Sequence, residues 1–241
     1  MSTEVKIILI IVAVFLVLLS IVLSSRSRIK KMYKKYLVVG NQSNLSGQEF
    51  AALAINHLGL GISLGVADGE LIDAYAPKQK MLIMSREVCN YKSLASLTIV
   101  AHELGHALQD NKNDPLFHLC QIWDRLNKFL KKFFIPCLIA SLIFAFINAG
   151  IALTLLWIAI GIFGFNITQK LLTIPLEYNA SKRGLWILKE YHYLSPSEIG
   201  RAKKLLSVAA QTYIASLFDG IIIFGHKLNR LFDKQYDKKK K

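Results

Sequence analysis

A histidine pair four residues apart, with a glutamate directly after the first, marks the stretch His102-Glu103-Leu104-Gly105-His106. On a helix, positions four apart share a face, so both imidazoles can offer a nitrogen to one tetrahedral ion. Glu103, beside a ligand, can reach the fourth position, where a water would sit. Zinc lowers that water's pKa from about 15.7 to about 7, and Glu103 would take its proton and pass it to the leaving amine. The competing reading is a chance arrangement on an apolar helix, which composition allows about once in a hundred chains of this length. Two histidines and a glutamate buried there without an ion would also be costly. Gly105, in mid-helix, costs roughly 1 kcal/mol against alanine and so implies a packing or access reason.

A catalytic site needs a third protein ligand. The best candidate is Glu177, in IPLEYNASKRGLWIL (174–188), close to a helix start that Pro175 would mark. A glutamate in a first helical turn is equally well explained by the helix dipole. Chemistry alone leaves those two explanations level. Topology helps, because an even number of membrane crossings would separate His106 from Glu177 and leave them on one face of the bilayer. His57, His118, His192 and His226 read as surface or core histidines. His192 is the most open of these, since no residue identifies itself as the group that polarises the transition state.

These residues need a scaffold, and its character is legible in composition and charge. The chain has 241 residues, 53% hydrophobic, with 30 Lys+Arg against 16 Asp+Glu and a formal charge of +14. Its mean hydropathy of +0.38 points to the membrane class. The basic residues cluster after an apolar run (Arg26 to Lys35) and in a tail ending KQYDKKKK, as lipid contact and membrane orientation require. No basic groove interleaved with aromatics suggests nucleic acid. Cys89, Cys120 and Cys137 have no paired spacing, so neither a disulfide framework nor a thiolate zinc site is expected.

Along the chain, residues 5–24 are about 20 nearly unbroken apolar residues, an uncleaved transmembrane anchor with its N-terminus outside. Residues 25–132 form a cytoplasmic catalytic region. Within it, Gly47 to Leu60 has helical spacing with Ser46 as N-cap; ISLGV, ELIDAY and KMLIM read as short strands in hairpin order; Ser93 to Asp110 is a strong helix pattern. Residues 133–169 read as a transmembrane hairpin turning at Asn148-Ala149-Gly150, flanked by Lys131, Lys132 and Lys170. Residues 170–204 carry the third-ligand helix. Residues 205–225 are apolar but contain Gln211, Tyr213 and Asp219, and either span or re-enter; residues 226–241 are a basic tail.

Gly69 to Asp110, around the HELGH helix, resembles the bacterial membrane neutral zinc metallopeptidase family of the YugP type. PLEYNASKRG (175–184) and QTYIASL (211–217) match as well, as does the order of anchor, zinc helix, apolar hairpin, glutamate helix and final apolar segment. The resemblance implies a zinc-dependent endopeptidase of the gluzincin kind, with one Zn2+ held by His102, His106 and Glu177 and with Glu103 as catalytic base and acid. Four residues after the ligand glutamate, related gluzincins often place an aspartate that holds a zinc-bound histidine; Ser181 stands there, a weaker orienter. Two departures bear on substrate contacts and polarity near Tyr75 and Tyr178. An Asp-His-Tyr-Asp-Pro-like stretch reads Asp73-Ala74-Tyr75-Ala76-Pro77, and the aspartate of Glu-Phe-Asp-Ala-Ser is Asn179.

The expected fold is therefore mainly α and integral to the membrane. It has three or four transmembrane helices and a small α+β zincin-like region, made of the zinc helix and a short antiparallel sheet. The expected function is hydrolysis of peptide bonds by a zinc-activated water, at the cytoplasmic face of a multi-pass cell-membrane protein, on membrane-associated protein or peptide substrates. The alternative is a zinc-binding membrane scaffold without catalysis. Met81, Leu82, Ile83 and Met84 would form an edge strand beside the zinc helix, to which an extended peptide could add; an ordinary core strand explains them equally well.

Overall fold

The computed structural model describes residues 27–215. Residues 27–37 are helical (α1). There follow α2 (Gly47–His57), β1 (Ser63–Ala67), β2 (Ala74–Ala76), β3 (Met81–Ser85), α3 (Arg86–Asn90), α4 (Leu94–Asn111), α5 (Pro115–Phe144), α6 (Ala149–Glu190) and α7 (Pro196–Ala215). The helix starts are written in the sequence. Ser46 caps α2 in a capping box with Glu49, Ser93 caps α4, Asp114 caps α5 ahead of Pro115, and Asn148 caps α6.

The core is built around α4, whose Leu94, Leu97 and Leu104 are fully buried. Phe50 and Ala54 of α2, Val88 of α3, Ile187 and Leu188 of α6, and Leu205 of α7 join the same cluster. Leu205 to Ala215 thus continue α7. The remainder of the 205–225 stretch, the 5–24 anchor and the 226–241 tail lie outside the described residues.

The sheet differs from the expected antiparallel hairpin order. Its strand order is β1-β3-β2, with β1 parallel to β3 (Ser63↔Met81 to Ala67↔Ser85) and β2 antiparallel to it (Ala74↔Ile83 to Ala76↔Met81). Met81 to Met84 therefore belong to the central strand, not an edge, and Met81 to Ile83 are flanked by strands on both sides. The reason lies between β1 and β2. Gly69 (φ 137°) and Leu71 (φ 56°) take the chain across the end of β3, so that β2 arrives on its far side. Asp73 then accepts from the Ser85 N–H at 2.7 Å, fixing the end of β3 and leaving β2 only three residues long.

The apolar hairpin is present, turning through residues 145–147 into the Asn148 cap. Its helices run well past the apolar segment. α5 is continuous from Pro115, and α6 extends over 42 residues, about 63 Å at 1.5 Å per residue. Pro175 lies inside α6 instead of opening a helix, so Glu177 sits in mid-helix and owes nothing to a helix N-terminus. Among the described residues, α6 is the one helix long and apolar enough to cross a membrane.

Candidate metal centre

α4 and α6 cross where both are narrow. A Cβ on Gly105 would stand 2.3 Å from the Ala180 carbonyl oxygen, and one on Gly184 would stand 2.6 Å from that of Ala101. The glycine in the middle of HELGH is thus explained by packing: without side chains at the crossing, His102 and His106 come directly over Glu177. His102 Nε2 lies 3.1 Å and His106 Nε2 3.4 Å from Glu177 Oε2, and all three groups are nearly buried. Their candidate ligand atoms lie within 4.8 Å of one another, and the trio could hold a metal ion.

The surrounding hydrogen bonds fix one imidazole. Arg183 Nε, which can only donate, bonds Asn179 Oδ1 at 2.6 Å, so that oxygen is an acceptor. Gln109 Nε2 donates to the same oxygen at 3.1 Å and to the Leu176 carbonyl at 3.0 Å. Gln109 Oε1 is then left to accept from His106 Nδ1 at 2.9 Å. His106 in its neutral form therefore carries its proton on Nδ1 and turns the Nε2 lone pair toward a carboxylate oxygen. Two acceptors face each other, and a cation must lie between them, either a proton or a metal ion. The donor set, two imidazoles and one carboxylate, is one that zinc takes at sites with an open fourth position. His102 Nδ1 is paired with Ser181 Oγ at 3.1 Å.

Titration follows the same contacts. Burial alone would lower His106, but its bond to Glu177 and the Glu177 and Glu103 charges outweigh it and raise the imidazole to about 9. Burial would raise Glu177, yet the two histidine bonds hold it well below the usual carboxylate range. Glu103 is raised by burial, against the opposing pull of both histidines and the Tyr75 amide.

Glu103 Oε2 accepts from the Tyr75 N–H at 2.8 Å, which ties it to β2. Tyr75 is locked in turn, since its hydroxyl donates to Asp110 Oδ2 at 2.6 Å, where Lys80 also bonds at 2.7 Å. Burial and the neighbouring Asp110 charge keep the Tyr75 phenol protonated well above its ordinary range. A cleft of about 570 Å³ opens beside Glu103, His106 and Glu177, walled by Tyr75 and the Pro77–Gln79 turn on one side and by α5 and α6 on the other.

Ser181 touches His102 as expected of an orienting residue. Asn179 meets no histidine and acts one step removed, through Gln109. Tyr178 is 70% exposed and points away. His57 bonds the Tyr193 hydroxyl, and His192 occupies a left-handed turn beyond α6; neither these nor His118 join the trio, and His226 lies outside the described residues. Sequence reasoning missed Gln109, Arg183 and Asp114, the last holding Arg183 Nη2 at 3.2 Å. Gln109 was findable, since it lies three residues after His106 and seven after His102 on the same helical face.

The chain is 28% identical over 207 residues to the "Putative membrane protease YugP" of Bacillus subtilis (strain 168), covering 84% of this chain and 89% of that protein. No solved structure matches it. The family described as "Putative neutral zinc metallopeptidase" matches residues 8–228, nearly the whole length, and the chain belongs to that family.

Proposed function

We propose that the protein is a membrane-embedded zinc endopeptidase that holds one zinc ion on His102, His106 and Glu177. The observation that carries this reading is the convergence of those three ligand atoms next to Glu103, with His106 oriented so that its lone pair needs a cation. A zinc ion held there supplies Lewis acidity, which polarises a carbonyl and acidifies water near neutral pH. Glu103 supplies the proton transfer. Its carboxylate is steadied by the Tyr75 amide, and its raised pKa suits a group that takes a proton from water and returns it to the departing amine. An extended peptide lies along β2, the edge strand next to Glu103, in place of the central β3.

The membrane placement rests on the apolar half of α6 and the 5–24 run, together with the name of the Bacillus relative. The lysines around the hairpin and the basic cluster after residue 25 support a site on the cytoplasmic side. Glu103→Gln is the deciding variant. It should retain about one zinc per chain and lose peptide cleavage by at least a hundredfold. Cleavage at the parental rate would remove Glu103 from the mechanism, and zinc binding by a parent protein that cuts no peptide would leave a scaffold.

A further inference from the structure

The cleft beside the trio is elongated. From His106 and Glu177 it follows the α5–α6 groove past Gln121 and Arg125 to Lys128 and Gln169. Gln169 is where the apolar half of α6 ends, since Lys170 is the first charged residue after Asn148. Glu177 stands seven residues beyond Lys170, about 10 Å along the helix. On α5 the apolar run ends lower, at Lys132, next to the level where Phe134 meets Phe163. That level is about 20 Å from Glu177. The floor of the cleft therefore opens where the chain would leave the bilayer, and the trio stands about 10 to 20 Å above it.

α5 carries a second and independent sign. Leu119, Ile122, Leu126, Phe129 and Phe133 recur at helical spacing and are 41–57% exposed. This stripe runs on from the hairpin's own exposed Ile139, Leu142 and Ile143 and climbs to Leu119, next to Cys120, whose Sγ meets the Leu172 carbonyl at 3.6 Å, about 7 Å short of Glu177 along α6. A neighbouring face presents Gln121, Asp124, Arg125 and Lys128 to the cleft. A helix with lipid-like residues outward, flanked by Lys131 and Lys132, suits burial in the surface of an anionic bilayer. The lower turns of that stripe, Phe129 and Phe133 next to Lys132, then meet the bilayer surface, while a neighbouring face of α5 lines the cleft above it.

We propose, resting on the peptidase reading above, that the cleft takes the juxtamembrane segment of a membrane-anchored polypeptide. The substrate enters at the bilayer surface and runs extended up the α5–α6 groove. At about 3.3 Å per residue, a rise of 10 to 20 Å places the scissile bond roughly three to six residues beyond the substrate's own span. Water adds across the C–N bond, its hydroxyl to the carbonyl carbon and its proton to the amine. The polar lining suits an extended main chain and rejects an intact apolar helix.

The test uses the full-length zinc-loaded protein in vesicles of phosphatidylethanolamine and phosphatidylglycerol. One substrate is a single-span peptide with a twenty-residue tail of mixed sequence, another is the same tail without the span, and cut positions are read by mass spectrometry. The anchored tail should be cut at least tenfold faster, within about the first six residues, and inserting a spacer next to the span should leave the cut at the same distance from the membrane. Equal rates on both tails, or cuts that travel with the sequence when the spacer is inserted, would overturn the proposal and leave the peptidase standing. No cleavage of either substrate by zinc-loaded protein would overturn the peptidase reading and this one with it. Phe129→Glu, outside the cleft and one turn above Lys132, should bring the anchored rate down toward that of the free tail; an unchanged anchored rate would deny α5 its lipid contact.

Discussion

The two halves of α6 are one unbroken helix in opposite circumstances. From Ala149 to Gln169 it is apolar around much of its circumference, and Leu153 and Trp157 are more than half exposed. From Leu176 to Leu188 it is amphipathic and buries Glu177, Ala180, Gly184, Ile187 and Leu188 at three- and four-residue intervals, largely against α4. The more hydrophobic half is the less buried one, so apolar content here marks a surface and not a core. Fine positioning belongs to the other half, where backbones touch and the buried polar side chains have partners. Where α5 meets the end of the apolar half, by contrast, Asn127 Oδ1 is buried with no partner.

The sharpest way to expose that difference is one kind of substitution made at the α4–α6 crossing and again in the apolar half. Gly184→Ala or Gly105→Ala drives a methyl group into a backbone carbonyl that cannot yield without parting α4 from α6. Each should cost at least about 3 kcal/mol, at or beyond the upper end of ordinary overpacking, and should abolish zinc binding. Gly161→Ala meets nothing within 4 Å and should leave stability within about 1 kcal/mol of the parent, on the favourable side if helix propensity decides it. Thermal melts of the three variants decide the matter, and a tolerated Gly184→Ala would refute the close crossing.

Next in size is a dependence on pH that the metal should erase. In the ion-free protein His106 is raised to about 9, so its contribution is fully present below the unfolded value near 6.5 and is lost as pH climbs through 9. Glu177 works in the opposite sense, because its depressed pKa supplies stability above about pH 4.5 that disappears only in strong acid. Chelated protein should lose on the order of 2 kcal/mol between pH 6.5 and pH 9. Zinc-loaded protein should not, because the ion replaces the proton between the imidazole and the carboxylate and binds more tightly as protons leave. A matching loss in both forms would place the titration elsewhere.

What the residues disclosed in advance depended on the range of the contacts. The HELGH helix and the hairpin turn at Asn148 follow from local spacing, whereas Glu177 stands level with a helix-dipole explanation until the crossing of α4 and α6 brings it to the histidines. The sheet order does not, because β1 and β2 are separated by a segment whose positive-φ residues include Leu71, which no local rule selects for that role. Pro175 misled for a related reason. Proline commonly opens helices, but here α4 and α5 pack against α6 on either side of it and the helix continues through. Gln109, Arg183 and Asp114 each look like ordinary polar residues until the crossing brings α4, α5 and α6 together.

The smallest effects compare two buried amides, one in each region. Gln109→Leu keeps the volume but removes the acceptor that holds His106 Nδ1–H, so the imidazole is free to turn or change tautomer. Loss of such an orienting partner typically weakens metal binding 10- to 100-fold, and zinc affinity should fall by that factor while the fold survives. Asn127→Leu removes two donations, to Asn166 Oδ1 and Gln169 Oε1, each 3.1 Å long, together with the one unpartnered oxygen. A typical hydrogen bond nets about 1 kcal/mol, and deleting an unsatisfied atom offsets part of that, so the net change should stay below about 1 kcal/mol with zinc affinity unaltered. Zinc titrations of the two variants separate the regions. If Asn127→Leu weakened zinc binding as much as Gln109→Leu, the hairpin would be coupled to the centre through the shared helix, and the division of labour along α6 would have to be abandoned.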